Sequence, residues 1–208
     1  MDKILFDKKS ILSSLTQRTT LKIIVNSLNN FVKVKDKEIL ELGGGNSCFF
    51  SRICRKVQIK TYDIIDNCEL AVELFNKKTE LVSHKGILKN LFEDCEIGDK
   101  QYDFVFSIGL IEHFRNKDID TLIKRHFEFC KDGGYVLISV PTPTRKYKIV
   151  RKAMEKLGVW QFWDEEPLKY AQIKDRIQKY GTIEKAFINK KIPLTQLVII
   201  VKKKSLCL

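Results

Sequence analysis

Two carboxylates, a run of three glycines and one histidine are the residues of this chain whose types and spacing could do chemistry. Glu41 stands two residues before Gly43-Gly44-Gly45, within E-I-L-E-L-G-G-G-N-S-C-F-F-S (residues 38–51). Glycine accepts the positive φ of a tight turn, and its missing side chain leaves room for a ligand against main-chain N–H groups. Glu41 could bind a cationic amino group or orient the amides of that turn. Asp63 follows 20 residues after Gly43. At the end of a second strand, its carboxylate can accept hydrogen bonds from both hydroxyls of a ribose. Asp66 is the runner-up for that role. His113, in S-I-G-L-I-E-H-F (residues 107–114), is either a proton acceptor for a nucleophile or a structural side chain, and both readings stand. His84 and His126 read as structural.

These residues need elements to hold them. Ile39, Leu40 and Leu42 form a short apolar run suited to a buried parallel strand, and Ser47 opens a helical pattern through Phe49, Phe50 and Ile53, to about Lys56. Upstream, residues 10–30 carry apolar side chains at helical spacing behind a Ser10 N-cap, with a break possible at residues 17–20. Downstream, residues 57–63 read as the second strand, 67–77 as a helix and 81–84 as the third strand. Residues 102–108 follow as the fourth strand, 119–130 as a helix and 135–140 as the fifth strand. A basic helix over residues 144–157, a second helix to about Tyr180 and two strands (182–188 and 195–201) complete the pattern. Trp160, Phe162 and Trp163 between those helices ask for burial, so residues 141–167 read as an insertion rather than a linker.

The chain has 208 residues, enough for one domain with a substantial core, and no apolar run approaches the ~20 residues that span a bilayer. Its N-terminus lacks a signal-peptide core, which gives a cytoplasmic reading. Six scattered cysteines without a C-x-x-C pair argue against a zinc site or a disulfide framework. The formal charge of +12 is uneven. Basic and acidic residues number 22 and 20 through Val140, but 16 and 6 from Pro141 onward. A basic last third points to a local anionic partner.

With the motifs in place, E-L-G-G-G-N-S resembles the E/D-x-G-x-G-x-G motif of class I S-adenosylmethionine (SAM) dependent methyltransferases. It matches at Glu41, Gly43 and Gly45 and departs at Ser47, where the family has glycine. The dinucleotide pattern G-x-G-x-x-G fails at Cys48, and no Gly-Lys-Ser/Thr follows to make a P-loop. S-I-G-L-I-E-H-F resembles the family's segment after the fourth strand. K-D-G-G-Y-V-L-I-S-V-P resembles its K-P-G-G turn and fifth strand, with Asp132 in place of proline. The likeness runs from about Glu38 to Pro141 with spacings intact. It implies an α/β fold: a Rossmann-like, seven-stranded, mostly parallel sheet with helices on both faces and a helical cap inserted after the fifth strand. One domain would span residues 1–208, with a helical lead-in over 1–37 and a cap over 141–180. The cofactor would be SAM, leaving as S-adenosylhomocysteine. Gly43, Gly44, Gly45 and Asn46 would line it with Glu41, Asp63 would hold the ribose and Ile64 would lie on the adenine. Ile87 stands where many members carry an acid, so Ile87 and Leu88 would offer backbone contacts. Ser107, Ile108 and Gly109 would pass beside the cofactor, and His113 would face the reacting end.

The function so implied is methyl transfer to a hydroxyl or amine of a small, anionic or carrier-linked metabolite, a sugar-nucleotide or surface-glycan precursor among the candidates. Arg145 and Arg151 on the basic helix are the candidate acceptor contacts, because guanidinium binds phosphate and carboxylate bidentately. No metal is implied. Two other classes compete. A nucleic-acid methyltransferase would suit the charge, but the N/D-P-P-Y/F/W tetrapeptide of amino-methylating DNA enzymes is replaced by S-I-G-L. A SAM-binding protein without catalysis would keep the same cofactor residues. The sequence leaves the acceptor and the oligomeric state open.

Overall fold

The computed structural model of the chain describes residues 11–93 and 99–205; Ser10, expected to cap the first helix, lies outside them. In chain order the elements are α1 (Ile11–Phe31), β1 (Lys37–Leu42), α2 (Phe50–Cys54), β2 (Ile59–Asp66), α3 (Glu69–Asn76), β3 (Ser83–Leu88) and β4 (Tyr102–Ile108). A single 3-10 turn, Ile111–His113, precedes α4 (Asn116–Glu128), β5 (Cys130–Pro141), α5 (Arg145–Lys156), α6 (Tyr170–Gln178), β6 (Gly181–Asn189) and β7 (Gln196–Lys203). The seven strands form one sheet in the order β3-β2-β1-β4-β5-β7-β6, with only β7 antiparallel to its neighbours. This is the Rossmann-like arrangement the motifs implied. The order reverses between β1 and β4, and an open α/β sheet offers its ligand crevice at the carboxyl ends of such a pair.

Alternation along each strand builds two cores. Leu40, Leu42, Ile65, Val105, Val136 and Ile138 face one side, covered by Ile119, Leu122, Ile123 and Phe127 of α4 and by Ile173 and Ile177 of α6. Ile39, Tyr62, Ile64, Phe104, Phe106 and Leu137 face the other, covered by Leu21, Ile24 and Leu28 of α1, by Phe50 and Ile53 of α2 and by Phe75 of α3. The spacing of Leu21, Ile24 and Leu28 is that of one helical face, and α1 runs through residues 17–20 without the break the sequence allowed.

Several element ends differ from the sequence reading, each for a local reason. β2 continues to Asp66 because Ile64 and Ile65, both fully buried, belong to opposite faces of the sheet. β3 begins at Ser83 and includes Gly86, which pairs with Ile64. β5 begins at Cys130, and the Lys131–Gly134 stretch is an irregularity inside it rather than a turn before it. α2 is shorter than expected, starting at Phe50, because Ser47 takes a left-handed backbone (φ 44°) and its hydroxyl accepts the Phe50 N–H at 3.1 Å.

Phe50 fixes where the loop after β1 returns to the sheet. Its ring is buried against Tyr62 and Phe75, both 5.0 Å away by centroid, and against His84 at 4.8 Å. Phe50→Ala is expected to remove about 3–5 kcal/mol of stability. A urea titration would show this as a lowered midpoint with unchanged slope.

Candidate active site

The loop Gly43–Ser47 leaves β1 at the crevice. Gly43 and Gly45 have φ of 64° and 54°, and Gly43 N–H donates to the Ile65 carbonyl at 2.9 Å. A side chain at Gly44 would collide with the Glu41 carboxyl, since its Cβ would lie 2.7 Å from Glu41 Cδ; beyond Gly45, by contrast, the space is open. Glu41 itself is buried, and Tyr62 donates its hydroxyl to Glu41 Oε2 at 2.6 Å while Ser47 Oγ lies 3.2 Å from the same Tyr62 oxygen. Burial pushes the Glu41 carboxyl up to about 7, against the opposing pull of the Ser47 and Tyr62 hydroxyls and the Lys78 ammonium. Lys78 donates to the Ser47 carbonyl at 2.9 Å. These contacts join Glu41 to the hydroxyls of Tyr62 and Ser47, while the loop N–H groups of Gly43 and Gly45 go to the Ile65 carbonyl and Asp66.

Asp63 and Asp66 separate on β2. They are three residues apart, so the pleat sends them to opposite faces. Asp63 is 3% exposed and sits in mid-strand, paired with Leu40 and Lys85. Tyr102 donates to its Oδ2 at 2.8 Å, and Lys100 donates to the same atom at 2.6 Å. Asp63, of which the ribose role was expected, is therefore engaged within the sheet and does not line the cavity at the end of β2. The reason is the extra length of β2. Ile64 is likewise enclosed in the core beneath α1 and α2, not laid against a ligand.

Asp66 occupies the end of the strand instead. Its Oδ2 accepts the Gly45 N–H at 2.7 Å and its Oδ1 the Cys68 N–H at 2.9 Å, so one carboxylate ties the glycine loop to the head of α3. Beside it opens a cavity of about 150 Å³ whose walls include Gly43, Ile65, Asn67, Asn90 and Leu110. Ile87 and Leu88 end β3 next to this space without lining it; Lys89 to Phe92 do so. Asn46 is half-buried on the loop.

After β4 the chain passes Ser107, Ile108 and Gly109. Ser107 is fully buried and bonded to His126 Nε2 at 2.9 Å. His126 Nδ1 is 2.7 Å from the Leu122 carbonyl, so it carries the proton and Nε2 accepts from the serine. Burial pushes this imidazole down to about 4, which keeps it neutral and structural. Ile108 and Gly109 are half-buried at the crevice, Gly109 with φ 71°. His113 follows on the 3-10 turn, partly exposed, with Nδ1 3.0 Å from Asp164 Oδ2. Its ring centroid is 6.3 Å from that of Phe162.

Glu112, beside His113, drew no attention in the sequence. It is 1% exposed, and its Oε2 has no hydrogen-bond partner among the described residues. Burial raises its carboxyl to about 8, and the Glu165 and Asp164 charges push the same way. The Glu112 carbonyl accepts the Glu166 N–H at 2.9 Å, so the segment after Trp160 is laid directly over this turn. His113 thus has the Asp164 carboxylate as its direct partner and the buried Glu112 beside it in the chain.

The two arginines of α5 (whose N-cap Thr144 accepts the Tyr147 N–H at 3.1 Å) have different fates. Arg151 is committed within the fold. It pairs with Glu155 at 2.8 Å, donates to the Glu165 carbonyl at 2.9 Å and lies over the Trp160 ring at 4.8 Å. Tyr147 in turn donates to the Glu165 carboxylate. Arg151, expected as an acceptor contact, is turned inward by helical spacing and engaged by the loop. Arg145 is exposed at the first turn. Among the described residues no group of three or more His, Cys, Asp or Glu side chains is placed to hold a metal.

A family model described as a methyltransferase domain matches residues 17–178. The magnesium protoporphyrin IX methyltransferase ChlM from Synechocystis PCC 6803, solved with bound SAH, superposes with a TM-score of 0.74 at 12% identity, covering 95% of this chain and 89% of that one. The N-methyltransferase NodS from Bradyrhizobium japonicum WM9, also with SAH, gives 0.65 at 10% identity over 95% and 90%. The PH0226 protein from Pyrococcus horikoshii OT3 gives 0.69 at 14% identity over 96% and 97%. No curated protein sequence matches the chain.

Glu112 supplies a test of the site's electrostatics. A carboxyl whose folded value is raised is free of cost while protonated in both states, below about 4.5, and costs stability as pH rises through about 8. Glu112→Gln removes that ionisation. Thermal melts should show the variant close to wild type at pH 5 and more stable at pH 8.5, by about 1–3 kcal/mol.

Proposed function

The chain belongs to the class I SAM-dependent methyltransferases, and from that premise we propose that it methylates a hydroxyl or amine of a small-molecule acceptor seated beside His113. The observation that supports the reading is that Gly43 of the glycine loop, Asp66, and the Leu110 and Phe114 that flank the His113 turn line one cavity at the reversal of strand order. The residues fit the cofactor. A Cβ at Gly45 would meet nothing closer than Ala71 Cβ at 4.0 Å, and a carboxylate ends β2. A cavity of about 150 Å³ adjoins that carboxylate and Gly43. Asp66 is the residue to hold the ribose hydroxyls, with Asn67 and Leu110 toward the base and Gly43 to Asn46 along the remainder. Glu41 acts through the loop it shapes.

When bound, SAM supplies an electrophilic sulfonium methyl group. The chain's own residues then have two tasks, alignment and proton removal. Asp164, 3.0 Å from His113 Nδ1, favours the tautomer with the proton on that nitrogen. His113 Nε2 is then left with a lone pair to take the proton of an acceptor O–H or N–H as the nucleophile attacks. Asp164 and Glu165, whose charges act on the buried and mostly protonated Glu112, bias this mouth toward negative potential. That supports an acceptor whose reacting end donates hydrogen bonds. An anionic group on the acceptor would have to lie outside this mouth, toward Arg145 and its lysine neighbours. The segment over residues 141–180 acts as the cap that shapes the acceptor side. ChlM, named for methylation of magnesium protoporphyrin IX, and NodS, named for N-methylation, accord with this class without identifying the acceptor.

Calorimetry separates the two aspartates. Asp66→Ala should weaken SAM binding by roughly a hundredfold through loss of charge-assisted hydrogen bonds. Asp63→Asn should leave that affinity within about threefold while lowering stability by about 1–3 kcal/mol. The reverse pattern would return the ribose to Asp63.

For the chemistry, purified protein with SAM and a panel of amines and alcohols is screened by mass for the gain of one methyl. With an acceptor so found, His113→Ala should cut turnover by roughly 10²–10⁴-fold with SAM affinity unchanged. Near-full turnover would make His113 structural and leave alignment as the catalyst.

A further inference from the structure

The segment that roofs the crevice presents an unusual outer surface. Trp160 is buried, held by its Nε1–H to the Phe162 carbonyl at 2.8 Å and by the Arg151 guanidinium over its ring. That anchor leaves its neighbours outside. Trp163 is 71% exposed, Leu157 75%, Ile149 71%, Val159 52% and Phe162 47%. Five large apolar side chains in fifteen residues of exposed chain are far more than scattered surface hydrophobes. They do not stand alone. Tyr147 and Arg151 turn inward on α5, so the opposite face carries Arg145, Lys148, Lys152 and Lys156 around Ile149. Among the described residues none of those four cations is within ion-pair distance of a carboxylate, whereas Arg151 is paired with Glu155. Lys146 donates to the Lys190 carbonyl at 3.0 Å, which brings Lys190 and Lys191 to the same edge.

We propose that this surface docks on a lipid bilayer with anionic headgroups, Trp163, Phe162, Leu157 and Ile149 entering the interface while the surrounding lysines meet the headgroups. The argument is charge complementarity joined to apolar exposure. A nucleic acid or a free anion would use the lysines and leave the aliphatic and indole groups unused. A neutral apolar partner would leave the lysines unused. A bilayer surface uses both, with tryptophan at the headgroup level and lysine stems lying along the apolar boundary. Among the described residues no helix is long and apolar enough to cross a membrane, so the contact is peripheral. It also adjoins the site: Phe162 packs near His113, and Asp164, next to Trp163, pairs with it. Docking would therefore open the crevice toward the interface, where an amphiphilic acceptor resides. This last step rests on the methyltransferase reading; the docking does not.

The test uses the intact protein with vesicles of phosphatidylcholine alone and of phosphatidylcholine mixed with phosphatidylglycerol. Co-sedimentation with the mixed vesicles only, reduced by salt, is expected, with a blue shift of tryptophan emission that Trp163→Ser abolishes. Lys148→Gln combined with Lys152→Gln should lower the partition coefficient by roughly twentyfold. Trp163→Ser with Ile149→Ser should weaken it comparably. All four side chains are exposed, and circular dichroism checks that the variants fold. No sedimentation with either vesicle, or sedimentation indifferent to both double variants, overturns the proposal. So does binding to duplex DNA or RNA that needs Lys148 and Lys152, ignores Trp163→Ser and has no counterpart on vesicles. SAM affinity, measured in the same preparations, shows whether the methyltransferase reading stands separately.

Discussion

The carboxyl of Glu41 is the point on which the site depends. It is buried at the carboxyl end of the central strand, where its charge would be expensive without the Tyr62 and Ser47 hydroxyls and the nearby Lys78. Those partners come from β2, from the loop and from the segment after α3, so satisfying one carboxyl draws three parts of the chain together. Gly44 has to be glycine because the same carboxyl occupies the space its Cβ would take. Ser47, at the position where the family motif has glycine, is recruited twice. Its left-handed backbone ends the loop and its hydroxyl caps α2. The departure from the motif is thus absorbed by a hydrogen bond that glycine could not make.

Asp66 completes the same economy one strand over. Glycine N–H groups freed by the tight turn need acceptors, and a carboxylate at the end of β2 provides one for Gly45 while fixing the start of α3. The glycine loop is thereby tied to β2 and to the head of α3. Around the His113 turn the polar groups are less fully matched. Glu112 lies buried without a partner on Oε2, and the loop above it is fastened by Arg151, Trp160 and the Tyr147–Glu165 contact. Glu112 Oε2 is one of four buried side-chain polar atoms without a partner among the described residues, with those of Thr61, Ser139 and Asn189, and of the four it is the one beside the His113 turn.

Charge in the last third divides along the same line. Inward, Arg151 is spent on structure; outward, Arg145, Lys148, Lys152 and Lys156 surround exposed apolar side chains. A positive total thus coexists with the Asp164 and Glu165 carboxylates a few residues away.

The order of strands and helices, the glycine loop, the segment ending in Glu112-His113 and the basic helix were legible in the sequence because each rests on local signals. These are apolar alternation, glycine after a strand and 3.6-residue periodicity. The arrangement of the whole sheet followed from the likeness of these motifs to the methyltransferase family. What only the tertiary structure decided depended on register and facing. Asp63 and Asp66 are equally acidic and nearly adjacent, and which one reaches the crevice turned on where β2 ends. The burial of Ile64 and Ile65 by opposite faces settled that. Arg145 and Arg151 are equally basic, and a helix rotation gave one to solvent and the other to Trp160. Glu112 is silent as a residue type, because its meaning lies in having no partner, and a missing contact can be seen only when everything that might have made it is in place.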